Sequence, residues 1–206
     1  MTRAGVDLVR SHCGLRAPLD ADAPFYLLVE VSGQDSAQDV LFGVLQESAD
    51  SVLDAVVEEG PAHRLWRYRE GHTESVGAES TTPPLKLDLS TPLREIESFL
   101  TALGEDLADA APSVRAICFG HLGDGNIHVN LLDVAVDQRE AITDLVLRRV
   151  TRHNGSISAE HGVGRAKALW IGLGRTEVDL DVMRSIRTAL DPAHLLNPHI
   201  LPAGRA

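Results

Sequence analysis

Cys118-Phe119-Gly120-His121-Leu122-Gly123-Asp124-Gly125-Asn126-Ile127-His128-Val129-Asn130 is the stretch on which the fold turns. Apolar runs flank Asp124-Gly125, a dipeptide suited to a two-residue hairpin because both of its positions take positive φ. The pattern predicts strands over 114–120 and 127–132, joined tightly and antiparallel. Such a turn sets Gly123 opposite Asn126, Leu122 opposite Ile127 and His121 opposite His128. Opposed residues share a face with Cβ atoms about 5 Å apart, so the two imidazoles can reach one metal ion. Asn130, two residues beyond His128, points to the same face. Turn length decides this, because one residue of slip turns a histidine to the other side. Two histidines alone also fit a plain loop with half-exposed rings; a third ligand separates the readings.

Outward from the hairpin, strands and helices alternate. Phe25–Val31 is apolar and β-branched and reads as a buried strand closed by Ser32-Gly33. Ser36 with Asp39 opens a helix whose Val40, Leu41, Val44 and Leu45 share a face. A short strand is expected over 54–59, and a helix rich in arginine and histidine over 61–75. Leu85–Leu89 alternates as a half-buried strand. Thr91-Pro92 starts a helix with Leu93, Ile96, Leu100 and Leu103 inward. Asp137 with Glu140 opens another, carrying Ile142, Leu145, Val146 and Val150. A short strand over 156–160 and a final helix follow, capped by Thr176 and stopped by Asp191-Pro192. In that helix Leu180, Met183, Ile186 and Leu190 face inward. The tight hairpin makes the class α+β, an antiparallel or mixed sheet covered by helices on one face. Residues 1–24 show no pattern and read as a leader arm before one domain over 25–206.

Charge narrows the function. The chain of 206 residues carries 19 Lys+Arg against 30 Asp+Glu, a net charge of -11, which repels phosphate backbones and argues against nucleic acid as a partner. No apolar run approaches the roughly 18 residues of a membrane span, and no secretory signal is visible. Cys13 and Cys118 form no CxxC, so a reducing cytoplasm is the expected location. Cys118, in an apolar strand, reads as core.

The second informative segment is Ser156-Ile157-Ser158-Ala159-Glu160-His161-Gly162-Val163-Gly164-Arg165-Ala166-Lys167. A carboxylate and a histidine precede a glycine-rich turn that lets backbone approach a ligand closely. One of Glu160 and His161 can complete a His-His-carboxylate set that leaves coordination positions open; the other can act as a base near neutral pH. Such a set suits zinc, manganese or iron. Lys167 reads as a turn cap.

Together, Gly120–His128 and Ser158–Gly164, followed by Leu190-Asp191-Pro192 and Leu196-Asn197-Pro198, closely resemble the C-terminal domain of FAD-linked 2-hydroxyacid dehydrogenases. That group includes D-2-hydroxyglutarate and D-lactate dehydrogenases and the glycolate oxidase FAD subunit. The resemblance runs from about Phe25 to Pro202 and implies a ferredoxin-like α+β cap bearing the substrate site and a divalent metal, zinc or manganese. It implies His121, His128 and Glu160 as metal ligands, His161 as the base that takes the α-hydroxyl proton, and Asn130 as a substrate contact. Arg69, Thr73 and Lys86 match the group's substrate-holding arginine, threonine and lysine, with a spacing about two residues longer. Asn197 is a weaker flavin contact, because His199-Ile200 follows Pro198 where the group has Gly-Lys.

The FAD-binding domain, with its glycine-rich phosphate loop, is not found in the sequence. Three readings follow. The chain is the substrate and metal half of a flavoprotein oxidising a D-2-hydroxyacid to a 2-oxoacid, either completed by a separate FAD-domain subunit or cut from a longer protein, and served by an electron acceptor. Alternatively it is a folded, non-catalytic remnant that binds metal or a partner, or a metal-dependent hydrolase or lyase with a reused site.

Overall fold

The computed structural model describes residues 1–33, 36–60 and 63–200. It is α+β, with seven helices and a three-stranded antiparallel sheet among those residues. The contacts divide the chain into two compact units, Met1–Pro83 with Ile117–Phe119, and Pro84–Ala116 with the residues from Gly120 onward.

The first unit is helical. Helix α1 (Arg3–Cys13) occupies much of the stretch that carries no readable pattern, burying Gly5, Val6 and Val9 and ending on Gly14 in the left-handed region. Val6 and Val9 stand three residues apart, a helical spacing within an otherwise polar stretch. Helix α2 (Ala37–Glu47) starts where expected, with the Ser36 hydroxyl accepting the Asp39 N–H at 3.3 Å. None of its residues is buried, so the predicted inward face is not formed here. The single helix expected over 61–75 is two, α3 (His63–Glu70) and α4 (His72–Glu79), with Gly71 between; Pro61 lies outside the described residues. Gly5 lets α1 approach α4 closely, since a Cβ there would sit 2.5 Å from His72 Nε2. Val6, Val9, Tyr68, Val76, Ile117, Cys118 and Phe119 make the core of this unit. Cys118 is buried as expected, and burial pushes its thiol up to about 12.

Two expected strands are absent. Phe25–Val31 makes a single antiparallel bridge, Phe25 to Thr2, and Phe25, Leu27 and Val29 are exposed. Residues 54–59 are irregular, and the Asp54 carboxylate instead accepts the N–H groups of Asp20 (2.9 Å) and Ala21 (3.0 Å). Apolar, β-branched composition favours extended backbone, but a strand also needs a neighbour to share its hydrogen bonds.

The strand order of the sheet is β1-β3-β2, with β1 Leu85–Ser90, β2 Arg115–His121 and β3 Asn126–Leu132. Strands β1 and β3 are antiparallel, with Lys86 opposite Asn130 and Asp88 opposite His128. Leu87, Leu89, Ile127, Val129 and Leu131 point to the core and are buried. Helix α5 (Ile96–Ala110) follows a short 3-10 turn, Leu93–Glu95, and buries Phe99, Leu103 and Leu107; of the expected inward residues Leu103 is buried and Ile96 and Leu100 are half-buried. Leu93 belongs to the turn and is 56% exposed. Helix α6 (Arg139–Arg152) buries Ile142, Val146, Leu147 and Val150, without the expected side-chain cap. Residues 156–160 form no strand, only a bridge between Ser90 and Ser156. Helix α7 (Glu177–Leu190) has the Thr176–Asp179 capping box, but of its expected inward residues only Leu180 is buried. Among the described residues no helix is long and apolar enough to cross a membrane.

The Arg149 guanidinium forks onto Asp106, Nε and Nη2 each 2.6 Å from a carboxylate oxygen, tying α6 to α5. The pair is partly shielded from water, so Arg149→Met is expected to cost about 1 kcal/mol in urea unfolding.

Candidate metal and substrate site

The site grows from three short pieces of the second unit: the β2–β3 connection, the outward face of β1 and β3, and the segment around Glu160. The connection is not the two-residue hairpin turn. It is a 3-10 turn, Leu122–Asp124, closed by Gly125 at φ 68°, with the Gly125 N–H donating to the Leu122 carbonyl at 3.1 Å. Asp124 is absent from the positive-φ residues, so the type I′ conformation is not used. The longer connection removes the direct opposition of His121 and His128 that a two-residue turn gives. Their rings are still neighbours, edge to face with centroids 6.2 Å apart.

Glu160 comes to His121, Oε1 lying 3.4 Å from Nδ1. The Asn126 side-chain amide donates to the same carboxylate oxygen. Among the described residues, His121, Asp124 and Glu160 each offer a ligand atom within 4.8 Å of the others. All three are exposed, so a cation can enter from solvent. Asp124 reads in the sequence only as a turn former; its position between two histidines in a short loop was the available signal. His128 is half-buried, and its ring stacks near that of His161, centroids 6.1 Å apart at 25°.

Beneath these groups sits Asp88, 5% exposed. Its Oδ2 accepts three consecutive backbone N–H groups, from Ala159 (3.1 Å), Glu160 (2.8 Å) and His161 (3.1 Å). Its Oδ1 lies 3.4 Å from His128 Nδ1, and Oδ2 lies 4.0 Å from His161 Nδ1. Burial by itself raises the Asp88 pKa, but the N–H groups of Glu160 and His161 and the two imidazoles outweigh it and hold the carboxyl below its ordinary value. Lys167, which reads as a turn cap in the sequence, reaches further than its own turn. It is buried, and its Nζ donates to the carbonyls of Asp88 (2.8 Å) and Ile157 (2.5 Å). Burial lowers its pKa, and the Asp88 charge opposes that shift.

Asn130 lies on β3 beside His128, buried, with its amide 3.5 Å from the His128 carbonyl. Lys86, opposite it on β1, is exposed. Asn197 is exposed at φ 44°, and its carbonyl accepts Arg187 Nη2 at 3.2 Å. Arg69 and Thr73 belong to the first unit, on α3 and α4. The Arg69 guanidinium carbon stands 4.7 Å from the centroid of the Phe119 ring, and Thr73 is exposed. Sequence reasoning missed Asp88, Asn126 and Asp124, which contact the predicted ligands and base.

Residues 1–200 match the family model described as FAD linked oxidases, C-terminal domain. The chain is 34% identical to a D-2-hydroxyglutarate dehydrogenase of Xanthomonas citri, an alignment covering 96% of this chain and 43% of that protein. It is 36% identical to the mitochondrial D-2-hydroxyglutarate dehydrogenase of Arabidopsis thaliana, covering 96% and 36%. It is 29% identical to a putative mitochondrial D-lactate dehydrogenase of Schizosaccharomyces pombe, covering 97% and 41%. The chain thus spans less than half the length of each of these relatives.

Proposed function

The chain belongs to the FAD-linked oxidase family as its C-terminal domain, and from that premise we propose that it is the substrate- and metal-binding part of a flavin-dependent D-2-hydroxyacid dehydrogenase. The ferredoxin-like arrangement implied by the resemblance belongs to the same proposal. The observation that carries it is the convergence of His121, Asp124 and Glu160 beside the paired rings of His128 and His161.

The donor set fits a zinc or manganese ion: imidazole and carboxylate, open to solvent and braced from behind by Asn126. His121, His128 and Glu160 are the proposed ligands, with Asp124 within reach of the same position. A bound divalent cation supplies Lewis acidity toward the hydroxyl and carboxylate of a 2-hydroxyacid, and a flavin held by an FAD-binding domain or partner supplies the hydride acceptor. The chain's own residues do the rest. His161 keeps Nδ1 turned toward Asp88, which leaves Nε2 to take the α-hydroxyl proton. Asn130 and Lys86, paired across β1 and β3, offer an amide and a positive charge to the substrate's polar ends. Arg69 and Thr73 carry the same assignment on the sequence motif alone, and so does Asn197 toward the flavin.

Calorimetric titration of the metal-free chain with zinc, then manganese, tests the metal part. One equivalent is expected, weakened about a hundredfold in Glu160→Ala, as loss of one of three or four ligands implies. Equal binding by wild type and mutant sinks it. The catalytic part is tested by supplying the FAD-binding portion of a relative in trans and following 2-oxoacid formation. Turnover that needs metal but no flavin points instead to a hydrolase or lyase.

A further inference from the structure

Glu160 and His161 lie on a segment that joins the sheet at only one point, the bridge between Ser90 and Ser156. Its backbone is tied down by something other than a ladder. Three successive N–H groups, of Ala159, Glu160 and His161, aim at a single oxygen of Asp88. A carboxylate on a strand face is costly to shut away from water without such donors, and here the buried Lys167 Nζ donates to the Asp88 and Ile157 carbonyls and holds the two backbones together. The other Asp88 oxygen is buried without a hydrogen-bond partner and lies 3.4 Å from His128 Nδ1, across the β1–β3 pair.

We propose that Asp88 is the positioning residue of the site. One oxygen fixes where the Glu160 and His161 side chains leave the backbone. The other draws the His128 proton to Nδ1 and so frees Nε2 as a ligand atom. Asp88 itself touches no ion or substrate. The consequence for metal rests on the functional reading above; the consequences for backbone and tautomer do not.

The experiment uses the full chain with Asp88→Ala and Asp88→Asn at one neutral pH. Amide hydrogen exchange is read at Ala159, Glu160 and His161, the His128 tautomer from imidazole nitrogen shifts, and zinc affinity by calorimetry. In Asp88→Ala the three amides are expected to exchange at least tenfold faster while α5 and α6 keep their protection. Zinc affinity should fall ten- to a hundredfold. Asp88→Asn is isosteric and carries the test if the alanine variant does not fold. Its amide oxygen can keep the backbone donors, which turns its NH2 toward His128 Nδ1 and inverts the tautomer to Nε2–H. A merely structural aspartate does not produce that inversion. Unchanged protection in a folded Asp88→Ala chain, or an unchanged His128 tautomer in Asp88→Asn, overturns the proposal. If wild type takes up no zinc while the amide and tautomer effects appear, the role of Asp88 stands and the metal reading falls.

Discussion

Gly125→Ala is expected to destabilise the chain by about 4 kcal/mol and to remove zinc binding with it. Two costs combine. Gly125 sits at φ 68°, where an L side chain is strained by about 1–2 kcal/mol. An added Cβ would also stand 2.0 Å from the Thr91 carbonyl oxygen. That oxygen cannot move aside cheaply, because the Thr91 N–H donates to the Gly125 carbonyl at 3.0 Å and holds the two backbones together. The damage reaches the site at once: Asp124 and Asn126 flank the glycine, and Asn126 braces Glu160. Gly123, in the same loop, is the internal control. A Cβ there meets nothing within 4 Å, so Gly123→Ala should change stability by no more than about 0.5 kcal/mol. Urea unfolding and zinc titration of both variants check this. Equal behaviour of the two would show that the connection does not have the geometry described.

The second large effect is a pH-dependent loss of stability from His72. It is fully buried, its Nδ1 facing the Arg69 carbonyl at 3.2 Å and its ring 4.6 Å from that of Phe119. Burial, against the hydrogen bond to Arg69, lowers its pKa from 6.5 to about 4. The unfolded chain therefore binds a proton below 6.5 that the folded chain refuses until about 4. The stability that neutral His72 contributes is present above 6.5, is lost as pH falls through that window, and amounts to roughly 3 kcal/mol. The carboxylates held below their ordinary range, Asp88 and Asp106 among them, lose their contributions only below 3.8, so the windows separate. His72→Asn isolates the histidine, since it keeps a donor for the Arg69 carbonyl and does not titrate. Urea midpoints from pH 7 to 4 should fall steeply in wild type and less in the variant. Parallel slopes would rule His72 out.

The sequence carried the site's residue types further than it carried their geometry. His121, His128, Glu160 and His161 stand out in the sequence by residue type, and the structure brings their side chains near one another. Strands β1 to β3 were legible because alternation and apolar runs follow strand period within a few residues. The turn was not. Asp124-Gly125 fits both a two-residue hairpin and the end of a 3-10 turn, and only the packing of Gly125 against Thr91 separates them. The buried faces of α5 and α7 are legible only in part, Leu103 and Leu180 being buried as expected, because periodicity marks an apolar stripe without saying which part of it another element covers.

By itself, then, the sequence determines the α+β class, the hairpin strands and the imidazole and carboxylate groups from which the proposed site is drawn. The tertiary structure decided which of those groups meet. Asp124 joins His121 and Glu160 because a 3-10 turn folds it back. Glu160 and His161 reach the site because a buried aspartate 71 to 73 residues earlier in the chain collects the N–H groups of Ala159, Glu160 and His161. A contact of that span leaves no period or local pattern to read. It is fixed only when the strand bearing Asp88 is paired and its carboxylate, shut away from water, must find donors.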